Sequence, residues 1–327
     1  MNEFDLIARH FQRPTPQTLL GPGDDSALIE VAPGMELAVS SDMLVAGVHF
    51  LPDTEPRDLG WKTLAVNLSD LAAMGARARW ALLALSLPVA DEAWLAAFSA
   101  GFFSCAQQFQ VDLAGGDMSR MTRGGALSLC ATVIGEVPTG QALRRDGAQA
   151  GDDVWLSGYP GLAALGLKHL QGKTVLPDAL CRLCVHRLQA PVPRLLLGQL
   201  LRPLAHAAID VSDGLMADVA HIAKKSRLAA RIFLHRLPRP PQGVERALAL
   251  ESLLSGGDDY ELAFTAGAQQ RPAIAQIAAQ LDLPLWRIGQ MKADATTPAV
   301  QLIDSEGKIV PWEKQGYDHF LALPSFS

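Results

Sequence analysis

Hydrophobic and polar positions alternate along this chain with two different periods. Near the start, Phe4, Ile7, Ala8 and Phe11 recur at the spacing of one helix face, predicting a short amphipathic helix. "MELAVSSDML" (residues 35–44) reads as a strand ending in polar residues, and a helical stretch follows from about 57 to 75. The longest apolar run, "WALLALSLPVA" (80–90), is broken by serine and proline and is too short to span a bilayer, so it predicts a buried strand. A helix is expected over about 92–110, and "ALSLCATVIGEV" (126–137), β-branched and alternating, is a strand. The polar, glycine-rich passage "PTGQALRRDGAQAGDD" (138–153) then marks a boundary.

The pattern resumes with the short strand "DVWLSGY" and helical stretches over 161–201. "AHAAID" predicts a strand and "DGLMADVAHIAKKS" a helix, with Lys224 and Lys225 on its solvated face. Later strands are "ARIFLH", "YELAFTA", "LWRIGQM" and "VQLIDSEGKIV", the last with a Ser-Glu-Gly turn. Strands alternating with helices on both sides of the boundary predict an α/β (α+β) protein of two domains, residues 1–138 and 148–327. The length of 327 residues agrees, at about 150 residues per domain.

Composition removes several function classes. With 49% hydrophobic and 19% charged residues the chain is an ordinary globular one. Its formal charge of −6 and scattered Lys and Arg exclude a basic nucleic-acid footprint. "MNEFDLIARHFQRP" carries acids early and has no apolar core, so it is no secretory signal, and a cytoplasmic protein that neither spans nor docks on membranes is expected. Four cysteines make no disulfide framework. Cys181 and Cys184 form a C-x-x-C without a second pair, and their helical setting predicts core-facing thiols.

The aspartates repeat one grammar: an apolar run, then Asp beside Gly or Ser. The clusters are "GPGDDSA" (Asp24, Asp25), "SSDMLVAGVHF" (Asp42), "NLSDLAAMGA" (Asp70), "LAGGDMS" (Asp117), "IDVSDGL" (Asp210, Asp213) and "SGGDDYEL" (Asp258, Asp259, Glu261). Most are expected at strand ends or loop–helix junctions, where open α/β sheets bind ligands. Each taken singly also has a purely structural explanation. Asp213 could cap the following helix, and Asp24 or Asp25 could shape a turn. Should the clusters converge, carboxylates in a site of low dielectric repel strongly, and hard oxygen ligands without a His/Cys set select Mg²⁺, Mn²⁺ or Ca²⁺. A Mg²⁺ cluster implies a polyphosphate partner, and "GGD" and "SGGDD" let backbone N–H groups come close to it. The usual fingerprints fail, however. "GLKHLQGKT" (166–174) has five residues between its glycines where a P-loop has four, so Lys173 reads as a surface residue, and no G-x-G-x-x-G occurs. ATP, if used, is held by aspartate and metal rather than by a lysine-bearing loop.

These residues resemble a known family. "GDDSA", "SSDMLVAGVHF", "KTLAVNLSDLAAMGA", "LAGGDMS", "LRRDGAQAGDDVWLSG", "IDVSDGL", "SGGDDYEL" and "GYDHF" follow, in order, the motifs of the thiamine-monophosphate kinase family, from about Phe4 to Phe320. "NLSDLAAMGA" and "IDVSDGL" alone indicate the wider superfamily of aminoimidazole ribonucleotide synthetase, selenophosphate synthetase and the hydrogenase maturation protein. "DMLVAGVHF", "GGDDYEL" and "GYDHF" together favour the kinase. The resemblance implies an aminoimidazole ribonucleotide synthetase-like fold, an N-terminal mixed sheet that pairs across a homodimer, and a C-terminal α/β domain. It implies a phosphotransferase that uses ATP and several Mg²⁺ ions to turn thiamine monophosphate into thiamine diphosphate. Carried over residue by residue, Asp25, Ser40, Ser41, Asp42, Asp70, Asp117, Asp210 and Asp213 would hold Mg²⁺, with Asp42, Asp70, Asp117 and Asp210 central to catalysis. Gly116, Asp117, Arg145 and Ser212 would meet ATP. His49, Asp258 and Tyr317 would contact the thiamine phosphate.

The chain departs from the family at three places: Asp258 stands where Glu is usual, Met118 and Ser119 where threonines are common, and "SSD" replaces a threonine-bearing version. His49 also reads as a polar residue closing a strand, and Arg144 is as simple a phosphate contact as Arg145. Two rival readings are another ATP-using enzyme of the superfamily and a non-catalytic protein that binds divalent metal through Asp-rich loops.

Overall fold

The computed structural model describes residues 3–293, 299–314 and 316. The chain divides into two compact units. Residues 1–142 and 189–202 form the first, and residues 143–188 and 203–327 form the second. In chain order the elements begin α1 (Glu3–His10), β1 (Met35–Val45), α2 (Pro56–Ala73), β2 (Arg77–Leu87), α3 (Glu92–Phe109), β3 (Asp112–Arg120) and β4 (Ser128–Pro138). They continue with β5 (Asp153–Ser157), α4 (Leu162–Leu170), α5 (Asp178–Gln189), α6 (Leu195–Leu201), β6 (Ala205–Val211), α7 (Leu215–Lys225) and β7 (Ala229–Phe233). Last come α8 (Arg246–Ser255), β8 (Glu261–Ala266), α9 (Arg271–Leu281), β9 (Leu285–Lys292), β10 (Val300–Ile303) and β11 (Ile309–Val310).

The first unit is a four-stranded mixed sheet in the order β1-β4-β2-β3. β2 and β3 are parallel and the other pairs antiparallel. Alternation gives the sheet two different faces. Leu44, Leu83, Leu85, Leu129, Ala131 and Val133 are buried on one. Leu37, Val39, Met43 and Leu82 stand exposed on the other, Val39 at 61%. The run at 80–90 is therefore not buried on both faces as its hydropathy suggested, since Leu82 and Ala84 look outward. α2 is buried almost all round, as a helix covered on several sides must be. It meets α3 at paired glycines, where a Cβ on Gly101 would lie 1.7 Å from the Arg57 carbonyl oxygen and one on Gly60 2.0 Å from that of Phe98. α6 closes on the far end of α2, with Gly198 against the Ala72 carbonyl.

The second unit carries a seven-stranded sheet, β11-β10-β7-β9-β5-β8-β6. α7 packs on it with Leu215, Val219, Ile222 and Ala223 buried, while Lys224 and Lys225 are exposed as expected. Cys181 and Cys184 are free thiols on α5. They pack in an apolar cluster with Leu162, Leu165 and Leu176, which agrees with the core reading. Lys173 is exposed beyond the end of α4. No described helix is long and apolar enough to cross a membrane.

Three elements escaped the periodicity reading. β3, which contains "LAGGDMS", was not anticipated, and neither were α8 and α9. β3 tolerates its two glycines because it runs in parallel register beside β2, Leu82 opposite Gly115 and Leu83 opposite Gly116. A Cβ on Gly116 would lie 1.9 Å from the Leu83 carbonyl oxygen. The glycine is there for close backbone approach and not for a turn.

Candidate active site

In the first unit the acidic motifs meet where β1 runs beside α2. Ser40, Asp42 and Leu44 share one side of β1 by alternation, and Leu44 is buried. The Ser40 hydroxyl donates to Asp70 Oδ2 at 2.5 Å. β1 is an edge strand, so part of its backbone has no ladder partner. Asn67, one helical turn before Asp70, accepts the Asp42 N–H at 2.8 Å and is itself fixed by donating to the Thr63 carbonyl. Asp42 is therefore inside the strand rather than at its end, and α2 aligns it with Asp70. Ser41 points the other way. Its hydroxyl bonds Thr132 Oγ1 at 2.8 Å on the open face of the sheet, apart from the other two.

His49 closes the strand, accepting the Val45 N–H on Nδ1 at 3.0 Å. That bond makes Nδ1 the unprotonated nitrogen and leaves the proton of the neutral ring on Nε2. This bond agrees with the strand-closing reading and fixes the tautomer of the neutral ring.

Asp25, Gly116 and Asp117 line a cavity of about 740 Å³ inside the first unit. Its walls are the loop over residues 22–27 and the apolar side chains of Leu82, Leu85, Leu113 and Ile134. This volume lies in the usual range for small-molecule sites, about 300–1,000 Å³. Asp24 has the turn-shaping role, its Oδ1 accepting the Asp25 N–H at 2.9 Å.

In the second unit "IDVSDGL" forms the end of β6, a tight turn and the start of α7. Asp213 does not cap that helix: Gly214 is the cap residue and no side chain bonds there. The turn is held instead by Asp218, which sequence reasoning passed over. Asp218 Oδ2 accepts the N–H groups of Ser212, Asp213 and Gly214, each at 3.1 Å. Its carboxyl, ordinarily near 3.8, is pushed up to about 8, first by burial and then by the charges of Asp210 and Asp213, against the pull of those N–H groups. A signal was available. Leu215, Asp218, Val219 and Ile222 are spaced i, i+3, i+4, i+7, so Asp218 occupies a position on the buried stripe of α7. A phosphate-binding loop turns its N–H groups outward. This turn folds them inward and offers oxygen atoms, and it is suited to cations.

The neighbouring "SGGDDYEL" splits its two aspartates. Asp258 N–H donates to the Ser212 carbonyl and Tyr260 N–H to that of Val211, extending the β6–β8 pairing along the turn. Asp259 swings back to the start of α4, where its carboxylate accepts the Gly161 N–H at 2.8 Å. Burial pushes this carboxyl well up. Asp258 receives the Tyr260 hydroxyl at 3.0 Å. Asp258 and Tyr260 both have left-handed backbone, φ 67° and 52°, a strain typical of functional segments. Arg145 is exposed and its carbonyl accepts the Ser226 hydroxyl, whereas Arg144 is committed to Asp146 at 2.7 Å. Tyr317 lies outside the described residues, but Gly316 beside it rests on this turn. A Cβ there would lie 2.8 Å from the Asp213 carbonyl oxygen and 2.5 Å from Ala217 Cβ.

Among the described residues no three His, Cys, Asp or Glu side chains are grouped to hold an ion by themselves. The donor set still fits Mg²⁺, which keeps several waters and takes one or two carboxylates beside substrate phosphates.

The family model for "AIR synthase related protein, N-terminal domain" matches residues 23–137, and that for its C-terminal domain matches 149–300. The chain is 46% identical to a curated thiamine-monophosphate kinase of Escherichia coli (strain K12), over 97% of this chain and 98% of the relative. The crystal structure of thiamine-monophosphate kinase from Stenotrophomonas maltophilia K279a superposes with a TM-score of 0.83 at 47% identity, covering 94% of this chain and 96% of that one. A structure of AaThiL complexed with AMPPCP and TMP gives a TM-score of 0.76 at 28% identity, with 97% and 96% covered. Matched through both family domains, and nearly half identical to a curated relative along almost its whole length, the chain belongs to the thiamine-monophosphate kinase family.

Proposed function

We propose that this chain transfers the γ-phosphoryl group of ATP to the phosphate of thiamine monophosphate, giving thiamine diphosphate and ADP. The observation that carries the reading is the inward-folded turn of residues 212–214, whose N–H groups are all taken by Asp218. A site so built meets phosphate through a divalent cation and not through its own backbone. The family relationship supplies the substrates.

The acceptor is a phosphate oxygen, largely ionised near neutral pH, so no strong general base is needed. The bond from the γ-phosphorus to this oxygen forms as its bond to the β-phosphate oxygen breaks. The task of the protein is in-line placement and charge balance. Mg²⁺, when bound, neutralises charge on the transferring group. In this reading Asp42 and Asp70, braced by Asn67 and Ser40, hold metal on the first unit, with Asp25, Ser41 and Asp117 contributing. Asp210 and Asp213 hold metal on the second unit. Gly116 and Asp117 receive the nucleotide in the 740 Å³ cavity, with Arg145 and Ser212 as further ATP contacts. His49, through Nε2–H, Asp258 and Tyr317 meet the thiamine phosphate. The exposed Leu37, Val39, Met43 and Leu82 support pairing of this sheet with a second copy in a homodimer.

The test supplies purified protein with ATP, Mg²⁺ and thiamine monophosphate, with thiamine and with no acceptor as controls, beside Asp42→Asn. Thiamine diphosphate should form only from the monophosphate and fall at least about 100-fold in the variant, an electrostatic loss of roughly 3 kcal/mol. Product from thiamine itself, or an undiminished variant, overturns the reading.

A further inference from the structure

Gln17 belongs to none of the acidic motifs, yet it is bonded on both its backbone and its side chain. Its N–H donates to Asp112 Oδ2 at 2.6 Å, and its carbonyl accepts Trp80 Nε1–H at 2.8 Å. Its side-chain Nε2 donates to the Gln110 carbonyl at 2.7 Å and reaches the Arg79 carbonyl at 3.3 Å. These partners lie at the end of α3 and the starts of β2 and β3. Asp112 and Trp80 are both buried.

Just beyond Gln17 the chain makes a closed neck. The N–H groups of Leu19 and Leu20 both reach the Leu28 carbonyl, and Leu28 N–H returns to Leu20. Between the two sides of that neck, residues 22–27 form one wall of the cavity and carry Asp25. Trp80 lines the same cavity. The loop is thus closed upon itself at the neck and fastened to the sheet at Gln17.

We propose that Gln17, with Asp112 and Trp80, is the positioning residue that sets the 22–27 loop over the nucleotide cavity. It touches no reacting atom; it acts by holding the wall that carries Asp25. The inference rests on the reading of this cavity as the ATP site.

Of the Gln17 groups that bond, only Nε2 belongs to its own side chain, which dictates the variants. Gln17→Ala removes the Nε2 donors. Gln17→Glu keeps the size but turns an acceptor toward the carbonyls of Gln110 and Arg79 and toward Asp112. The full-length protein and both variants are compared by calorimetry with Mg²⁺ and AMPPNP, by kinetics, and by hydrogen exchange over residues 19–28. The Kd for AMPPNP and the KM for ATP should rise about tenfold in Gln17→Ala, the scale of one or two lost hydrogen bonds, and further in Gln17→Glu. The KM for thiamine monophosphate and kcat at saturating ATP should stay within about twofold. Exchange over 19–28 should quicken. Variants that bind AMPPNP like the parent, or that slow kcat with KM for ATP unchanged, overturn the proposal. A parent protein that turns over ATP but is protected by AMPPNP only outside 19–28 and 113–118 instead removes the ATP reading of the cavity, and this proposal with it.

Discussion

Asp218 is the most informative residue to change, because two opposed effects act on it. With its carboxyl raised from 3.8 to about 8, its ionisation at pH 7 is unfavourable by about 1.4 kcal/mol. Near pH 7 it is then mostly a neutral acid whose Oδ2 accepts three N–H groups. Asn is close to a copy of that state, with an amide NH₂ in place of the acid O–H. Asp218→Asn should therefore match the parent within about 1 kcal/mol near pH 4, where the unfolded carboxyl also keeps much of its proton, and exceed it by on the order of 4 kcal/mol at pH 7. Asp218→Ala strands one buried and two part-buried donors, at roughly 1–3 kcal/mol for a fully buried one, and should cost about 3 kcal/mol after relaxation. The sign of the pH effect follows from linkage. Between pH 4 and 8 the folded form holds a proton that the unfolded form has released, so this group's contribution falls as pH rises, by about 1.4 kcal/mol per pH unit. Urea midpoints for parent and variants, read from pH 4 to 8.5 without metal, test this. The difference between parent and Asp218→Asn should drift with pH in favour of Asn, and Mg²⁺ with ATP should shrink the drift. If Asn proves as damaging as Ala at pH 7, the charge itself holds the turn, and the reasoning fails.

Three further outcomes are expected. Gly116→Ala places a methyl 1.9 Å from the Leu83 carbonyl and should part β3 from β2, lowering stability by about 2–4 kcal/mol in chemical denaturation and weakening nucleotide binding in calorimetry. Gly316→Ala should lift the C-terminal segment off the Asp213 turn and raise the KM for thiamine monophosphate at least about fivefold, with the thermal midpoint little changed. Glu251 binds Lys314 at 2.6 Å and Lys168 at 2.9 Å, and these two hydrogen bonds hold its carboxyl below the usual 4.5. Its contribution is present above pH 4.5 and lost as pH falls through the lowered value, so Glu251→Gln should flatten the acid limb of a stability–pH curve.

The sequence made some of this legible and not the rest, for physical reasons. β1 and α7 announce themselves through periods of two and of 3.6 residues, while α2 and β6, buried almost throughout, show as apolar runs between polar breaks. The aspartates announce themselves too, since the apolar run leading to each is itself a strand or helix. β3 is hidden because Gly115 and Gly116 answer to a neighbouring backbone, a pairing that no local window contains. Asp218 and Asn67 are hidden because their partners are backbone N–H groups, which every residue type supplies. The opposite facing of Ser40 and Ser41 was present in the strand alternation, and the shared motif "SSD" obscured it.

The placement of α6 bears on the order in which the molecule can be built. This helix completes the first unit, its Gly198 seated on the end of α2, yet it is encoded after α4 and α5 of the second. A ribosome moving at about 5–20 residues per second delivers it several seconds after β4. Until then the Ala72–Gly75 end of α2 lacks its cover, and the nascent first unit must wait on the second. A gene cut at the apparent boundary near residue 140 would leave that surface permanently bare. The first unit is thus interrupted along the chain by part of the second, and only a chain carrying α6 supplies it complete.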